Sequence, residues 1–168
     1  MIISKTEYYR AWEDSYMKSV SIHSGEGDAL RIGTKLYEIK LRREDTRGHL
    51  SMIEITVPPN TQIMPPCEHV TCDEVVYVLS GKMWCHTKDL DDDDVVVHEL
   101  SQGSVLYIPV GATEWFETKV ESVQAICVFT PSGGSDAFFS QIGIPTDTRT
   151  ILPNELPEPD MEAMRLAS

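Results

Sequence analysis

From Lys35 onward the chain alternates apolar and polar positions with a period of two, the mark of half-buried strands. Leu36 to Leu41, Ser51 to Val57, Glu74 to Leu79 and Lys82 to Thr87 read this way. So do Val95 to Leu100, Val105 to Ile108, Glu114 to Thr118 and Val123 to Thr130. Turn residues separate them: Pro58-Pro59-Asn60, Ser80-Gly81, Ser101-Gln102-Gly103 and Val110-Gly111. Many short strands at this spacing imply an antiparallel sandwich or barrel rather than a parallel sheet. Both ends change period. Tyr8, Trp12 and Tyr16 recur at helical spacing behind a Ser4–Glu7 capping box, which predicts a helix over about residues 5–18. A loop rich in Ser, Gly and Asp follows at Ser21 to Asp28. After Thr130, Ser135 can cap a short helix carrying Phe138, Phe139 and Ile142, with Gly143 to end it. Pro145 to Pro159 reads as an extended loop and Met161 to Leu166 as a last short helix. With no repeat and no linker, residues 1–168 are expected to form one domain, with its β core at about 35–130 and a helical tail at about 135–168.

Charge narrows the function classes. Against 14 basic residues stand 27 acidic ones, a formal net charge of -13. Such a surface repels phosphate backbones and anionic lipid, so neither nucleic acid nor a membrane is an expected partner. The start, Met1-Ile2-Ile3-Ser4-Lys5, has no signal-peptide character and no apolar run reaches spanning length, so a cytoplasmic location is expected. In that setting Cys67, Cys72, Cys85 and Cys127 are reduced thiols in no zinc-ribbon spacing. Cys127, inside Val123 to Phe129, reads as core. Asp89 and the run Asp91 to Asp94 read as a solvated hairpin tip, since the Gly and Glu of a calcium loop are missing.

The chemistry-bearing residues cluster in two stretches. Pro65-Pro-Cys-Glu-His-Val-Thr-Cys-Asp-Glu-Val-Val-Tyr-Val-Leu-Ser-Gly81 resembles the first cupin motif, G-x5-H-x-H-x3,4-E-x6-G, with His69, Glu74 and Gly81 on family positions. Gly103-Ser-Val-Leu-Tyr-Ile-Pro-Val-Gly-Ala-Thr-Glu114 resembles the second, G-x5-P-x-G-x2-H-x3-N, through Gly103, Pro109 and Gly111. The resemblance implies an all-β fold: a cupin-type antiparallel barrel or jelly roll with short terminal helices, similar to small quercetinase-like members. It also implies that the two motifs hold a divalent metal (Fe, Mn or Ni) through three His and one Glu. Here the first His position is Cys67 and the motif-two His position is Glu114, so His69 and Glu74 alone keep the family's residue types. Thr118 stands at the motif-two Asn position.

If that fold forms, Cys67, His69, Glu74 and Glu114 converge inside the barrel, and three readings follow. Two carboxyls in an apolar cavity cannot both ionise cheaply, so one keeps a proton beside His69. That suits an isomerase, cyclase or dehydratase using Glu114 and Glu74 as acid and base, with His69 orienting or protonating and no cofactor required. Alternatively Cys67, His69, Glu74 and Glu114 ligate Fe, Mn, Ni or Zn, as in a dioxygenase or lyase. The third reading is a noncatalytic binding barrel. Cys67, Tyr77, His86 and Trp115 are the candidate substrate contacts. His98, His23 and His49 read as surface or structural residues. The expected substrate is a small, largely apolar organic molecule of specialised metabolism. The resemblance adds a homodimer to the expectations.

Overall fold

The computed structural model describes residues 18–151. Among them lie eleven strands, one α-helix and one 3-10 turn at Glu44–Thr46. The strands are β1 (Asp28–Ile32), β2 (Lys35–Leu41), β3 (Ser51–Val57), β4 (Cys67–Glu68), β5 (Asp73–Ser80) and β6 (Lys82–Lys88). They continue with β7 (Val96–Ser101), β8 (Val105–Ile108), β9 (Thr113–Glu117), β10 (Val123–Thr130) and β11 (Ile144–Pro145). Helix α1 spans Ser135–Ile142. Two open antiparallel sheets form the layers, in the order β11-β1-β2-β3-β10-β5-β8 and β4-β9-β6-β7. The fold is thus the expected antiparallel jelly roll, with sheets that do not close on themselves.

Alternation explains the layering. In β3, Ser51, Ile53, Ile55 and Val57 are buried while Met52, Glu54 and Thr56 are half-exposed. In β6, Met83, Cys85 and Thr87 point inward. The space between the sheets is filled by Ile53, Val76, Val78, Met83, Cys85 and Ala125, all sealed from solvent. At roughly 1.5–3 kcal/mol for each large apolar side chain removed from water, this layer is the main favourable term in folding. The turn between β5 and β6 needs a glycine. Gly81 has φ 77°, and a Cβ there would lie 2.0 Å from the Ser122 carbonyl oxygen.

Two short strands, β1 and β11, extend the core beyond the 35–130 expected, and a third, β4, lies within it. β1 forms a hairpin with β2 across Gly33-Thr34, with Leu30 opposite Tyr37. β11 then pairs with β1, so part of the stretch read as loop from Pro145 is strand. β4 is only two residues long, too short to carry a period. Helix α1 falls where expected, but Gly134 with φ 82° occupies the cap position and no side chain caps it. The predicted helices near residues 5–18 and at Met161 to Leu166 lie outside the described residues, apart from Lys18. The Asp run is an exposed turn, with the Asp94 amide donating to Asp92 Oδ1 at 3.0 Å and Lys88 paired to Asp93. Among the described residues no helix is long and apolar enough to cross a membrane.

Candidate active site

The two layers meet around one polar cluster. The small sheet supplies Cys67 and Glu114, which are direct cross-strand partners on β4 and β9. The large sheet supplies Glu74, opposite Phe129 on β10 and Ile108 on β8. His69 comes from the segment leaving β4, anchored where the Gly111 amide donates to its carbonyl at 3.0 Å. The ring of His69 packs edge-on against Phe129. Its Nε2 lies 2.9 Å from Glu114 Oε1 and 3.2 Å from Glu74 Oε2. The carboxyl side chains are 3% and 2% exposed for Glu74 and Glu114, whereas that of His69 is 23% exposed. A molecule approaching from solvent meets the imidazole first.

Electrostatics divides the three groups. Burial, the charge of Glu74 and a contact with its carboxylate push Glu114 up to about 9, against a weaker pull from His69. Burial would also raise Glu74, but bonds from His69 and Glu114, the His69 charge and the Cys127 thiol outweigh it, and Glu74 is lowered. Burial opposes charge on His69, yet the Cys72 thiol and the two carboxyls raise it well above an ordinary imidazole. At neutral pH the cluster is therefore an imidazolium, one carboxylate and one carboxylic acid. Glu114 Oε2 is buried and has no donor aimed at it. As a hydroxyl it can instead donate to Glu74, which makes the contact between the two carboxyls attractive.

Thiols line this cluster. Burial, followed by the charge of Glu114, pushes Cys67 up to about 12, so it is a neutral thiol. Cys85 and Cys127 are raised by burial and then by Glu114 and Glu74 respectively. Cys127 is in the core, as its apolar strand implied. Cys72 and Thr87 were not singled out from sequence. Thr87 lies opposite Glu114 on the inner face, and its Oγ1 is 2.9 Å from His98 Nε2. Alternation with Cys85 would have placed Thr87 there.

Three expected substrate contacts do not join the cluster. Tyr77 is 42% exposed on the outer face of β5, because Glu74, Val76 and Val78 take the inner one. His86 and Trp115 lie on the outer face of the small sheet, stacked at 4.8 Å, with His86 Nε2 3.4 Å from Glu117. Cys67, in contrast, sits at the wall of the cluster. A separate cavity of about 320 Å³ lies behind the large sheet, lined by Val20, Ile22, His23, Lys40, Met52 and Glu54 among others.

The cluster's donor chemistry fits a divalent metal. Cys67 Sγ, a ring nitrogen of His69 and a Glu114 oxygen all lie within 4.8 Å of one another, and no other such set occurs among the described residues. Thiolate, imidazole and carboxylate are ligands of zinc and iron. The buried Glu114 Oε2 without a donor is a further lone pair available to a cation. Glu74 is not a member of this set, although its Oε2 lies 3.2 Å from His69 Nε2.

Comparison with known proteins places the fold. The family model described as Cupin matches residues 40–156. The chain belongs to the cupin family. Its structure is similar to that of a predicted oxalate decarboxylase from Thermotoga maritima, at 17% identity and TM-score 0.57, over 66% of this chain and 98% of that one. KdgF from Halomonas sp. is similar at 15% identity and TM-score 0.54, over 67% and 94%. The Fe(II) form of HppE aligns at 15% identity and TM-score 0.53, over 66% and 60%. No curated protein sequence matches the chain. At these identities the likeness defines the cupin fold, and the chemistry must be argued from the cluster itself.

Proposed function

We propose that this cupin is a small-molecule enzyme that relocates protons on an organic substrate, as an isomerase, cyclase or dehydratase does, using its own acid and base. One observation carries the reading: His69 Nε2 is held between two buried carboxyls whose surroundings drive their protonation in opposite directions. Glu114 is the proton donor to a substrate oxygen, and the His69 imidazolium offsets charge developing on that oxygen. Glu74, kept ionised, accepts the proton that leaves substrate carbon. The contact between the carboxyls then returns this proton to Glu114 and resets the site. Acid and base separated by environment rather than by residue type is the general route to such chemistry near neutral pH. The Phe129 ring against His69 favours a substrate that carries apolar groups beside an enolisable carbonyl.

The test uses enolisable ketones and 2-oxo acids in heavy water with chelator present, reading deuterium uptake by mass spectrometry. The wild-type protein is expected to catalyse exchange, and Glu114→Gln to slow it by about 10²-fold or more while remaining folded. Exchange that appears only after metal is added would overturn the reading.

A second reading is favoured by the proximity of Cys67, His69 and Glu114. These three would hold a divalent ion such as zinc or iron, which when bound supplies Lewis-acid activation of substrate or water. In that case Cys67 loses its proton and Glu114 is ionised in the loaded protein. Cys67→Ala and Glu114→Gln would then each lower the metal content of protein purified without chelator. Unchanged, substoichiometric metal in all three proteins would remove this reading.

A further inference from the structure

The inner face of the small sheet carries a row that runs on past the cluster. Register sets Cys67 on β4, Glu114 on β9, Thr87 on β6 and Val96 on β7 side by side across all four strands. Cross-strand neighbours on one face have Cβ atoms about 4.5–5.5 Å apart, so Thr87 flanks Glu114 on one side as Cys67 does on the other. Glu114 and Thr87 are buried, whereas Val96 is 47% exposed, so the row opens to solvent at β7. Among the described residues the side-chain hydroxyl of Thr87 has one hydrogen-bond partner, His98, whose Nε2 lies 2.9 Å from Oγ1. His98 is two residues from Leu100, a core residue, and alternation turns both to the inner side. A hydroxyl has one proton and two lone pairs. The proton of a neutral imidazole prefers Nε2, and an imidazolium carries one on each nitrogen, so in either state His98 donates and Thr87 accepts. The hydroxyl proton of Thr87 is then left without an acceptor in a buried place. On the neighbouring strand Glu114 Oε2 is also buried and without a partner, so the two are not bonded to each other. Buried polar atoms are normally satisfied, and this pair offers a donor and an oxygen side by side.

We propose that the Thr87 hydroxyl, oriented by His98, donates a hydrogen bond to the same substrate oxygen that Glu114 protonates. The inference rests on the acid–base reading of the cluster and adds a second donor to it. Glu114 and Thr87 hold that oxygen from adjacent strands, and the apolar part of the substrate extends toward Val96 and the opening. A donor fixed where negative charge develops is worth most in a site closed to water, and its strands fix Thr87 before the substrate arrives. His98 touches Thr87 and not the substrate, so it is a positioning residue: it fills the lone pair of the hydroxyl and leaves the proton directed elsewhere.

The experiment uses the full chain, chelator, and phenylacetone labelled with carbon-13 at its carbonyl. Magnetic resonance reads the carbonyl shift of the bound probe, which moves downfield as donors engage the oxygen. Mass spectrometry reads deuterium exchange at the adjoining carbon. Thr87→Val keeps the shape and removes the hydroxyl. It is expected to move the bound carbonyl upfield and to slow exchange by about 10²-fold, chiefly through kcat. Thr87→Ser is expected to restore both readings. His98→Leu should change them in the same direction as Thr87→Val, and His98→Gln, whose amide can still donate, should recover them. Nitrogen-15 labelling of histidine should show a proton on His98 Nε2. A probe carbonyl unshifted by the wild-type protein, an equal shift with Thr87→Val, or a His98 proton on Nδ1 alone overturns the proposal. A carbonyl shift that depends on Thr87 in a protein that catalyses no exchange supports the Thr87 donor and removes the acid–base reading. Exchange that Thr87→Val leaves unchanged removes the donor and keeps that reading.

Discussion

Replacing Glu114 by Gln gives a stability signature that no other assignment of the cluster produces. Because Glu114 is neutral at neutral pH, the substitution exchanges one neutral group for another of the same shape. Its carbonyl still accepts from His69 Nε2, and its amide can donate to Glu74. The structural cost near neutral pH should then be about 1 kcal/mol, the worth of one imperfect hydrogen bond. The pH dependence is where the two proteins part. Glu114 is raised from 4.5 to about 9 on folding. Between those values the folded state holds a proton that the unfolded state has released. Its contribution to stability is complete below the unfolded value and is lost as pH rises toward the folded one. The slope is about 1.4 kcal/mol per pH unit, so from about pH 6 to about pH 8 wild type loses roughly 2–3 kcal/mol that Glu114→Gln does not lose. His69, also raised, titrates in both proteins, so its share falls out of the comparison to first order. Urea unfolding followed by tryptophan fluorescence, with chelator present, measures the difference. Parallel stability profiles for the two proteins across this range would refute the protonated Glu114.

Other expectations follow from the same geometry. Glu74→Gln leaves the His69 imidazolium without its ionised partner in a buried site and should cost about 3–5 kcal/mol, measured by chemical unfolding. Gly133 has φ 58°, and a Cβ there would stand 2.5 Å from Cys72 Sγ, which in turn touches His69. Gly133→Ala should therefore lower both melting temperature and turnover, whereas Gly103→Ala, with open space around it, should lower the melting temperature through its backbone angle alone. Tyr77→Ala and His86→Ala should leave turnover within about twofold of wild type, because both side chains are directed away from the cluster.

The fold was legible because a two-layer sandwich writes its period onto every long strand. β3, β6 and β10 alternate without interruption, and their bounds fall within a residue of the expected ones. Short strands carry no such signal. β4 and β11 have two residues each, and pairing alone makes them strands. β1 had a readable mark, the Gly33-Thr34 turn between two apolar runs. Of the site, Cys67, His69, Glu74 and Glu114 were legible from motif spacing. Tyr77, His86 and Trp115 went astray for one reason, which is parity. Tyr77 is three residues from Glu74, and Trp115 is one from Glu114, so neither can share its face. His86 fails the same test against the inward Cys85. Fixing one inward residue per strand would have excluded all three. The sharing of Nε2 between two carboxyls, and the thiols around them, depend on side-chain approach between separate layers, to which spacing is blind.

The account rests on Glu114 holding a proton where an ordinary carboxylate has none. Selective carbon-13 labelling of glutamate carboxyls, with Glu114→Gln to assign the resonance, reads this directly by magnetic resonance in chelator-treated protein. The Glu114 carboxyl should keep the chemical shift of a carboxylic acid through neutral pH and titrate near about 9, while Glu74 stays ionised at neutral pH. A Glu114 resonance already ionised at neutral pH, titrating in the ordinary carboxylate range, would contradict the mechanism.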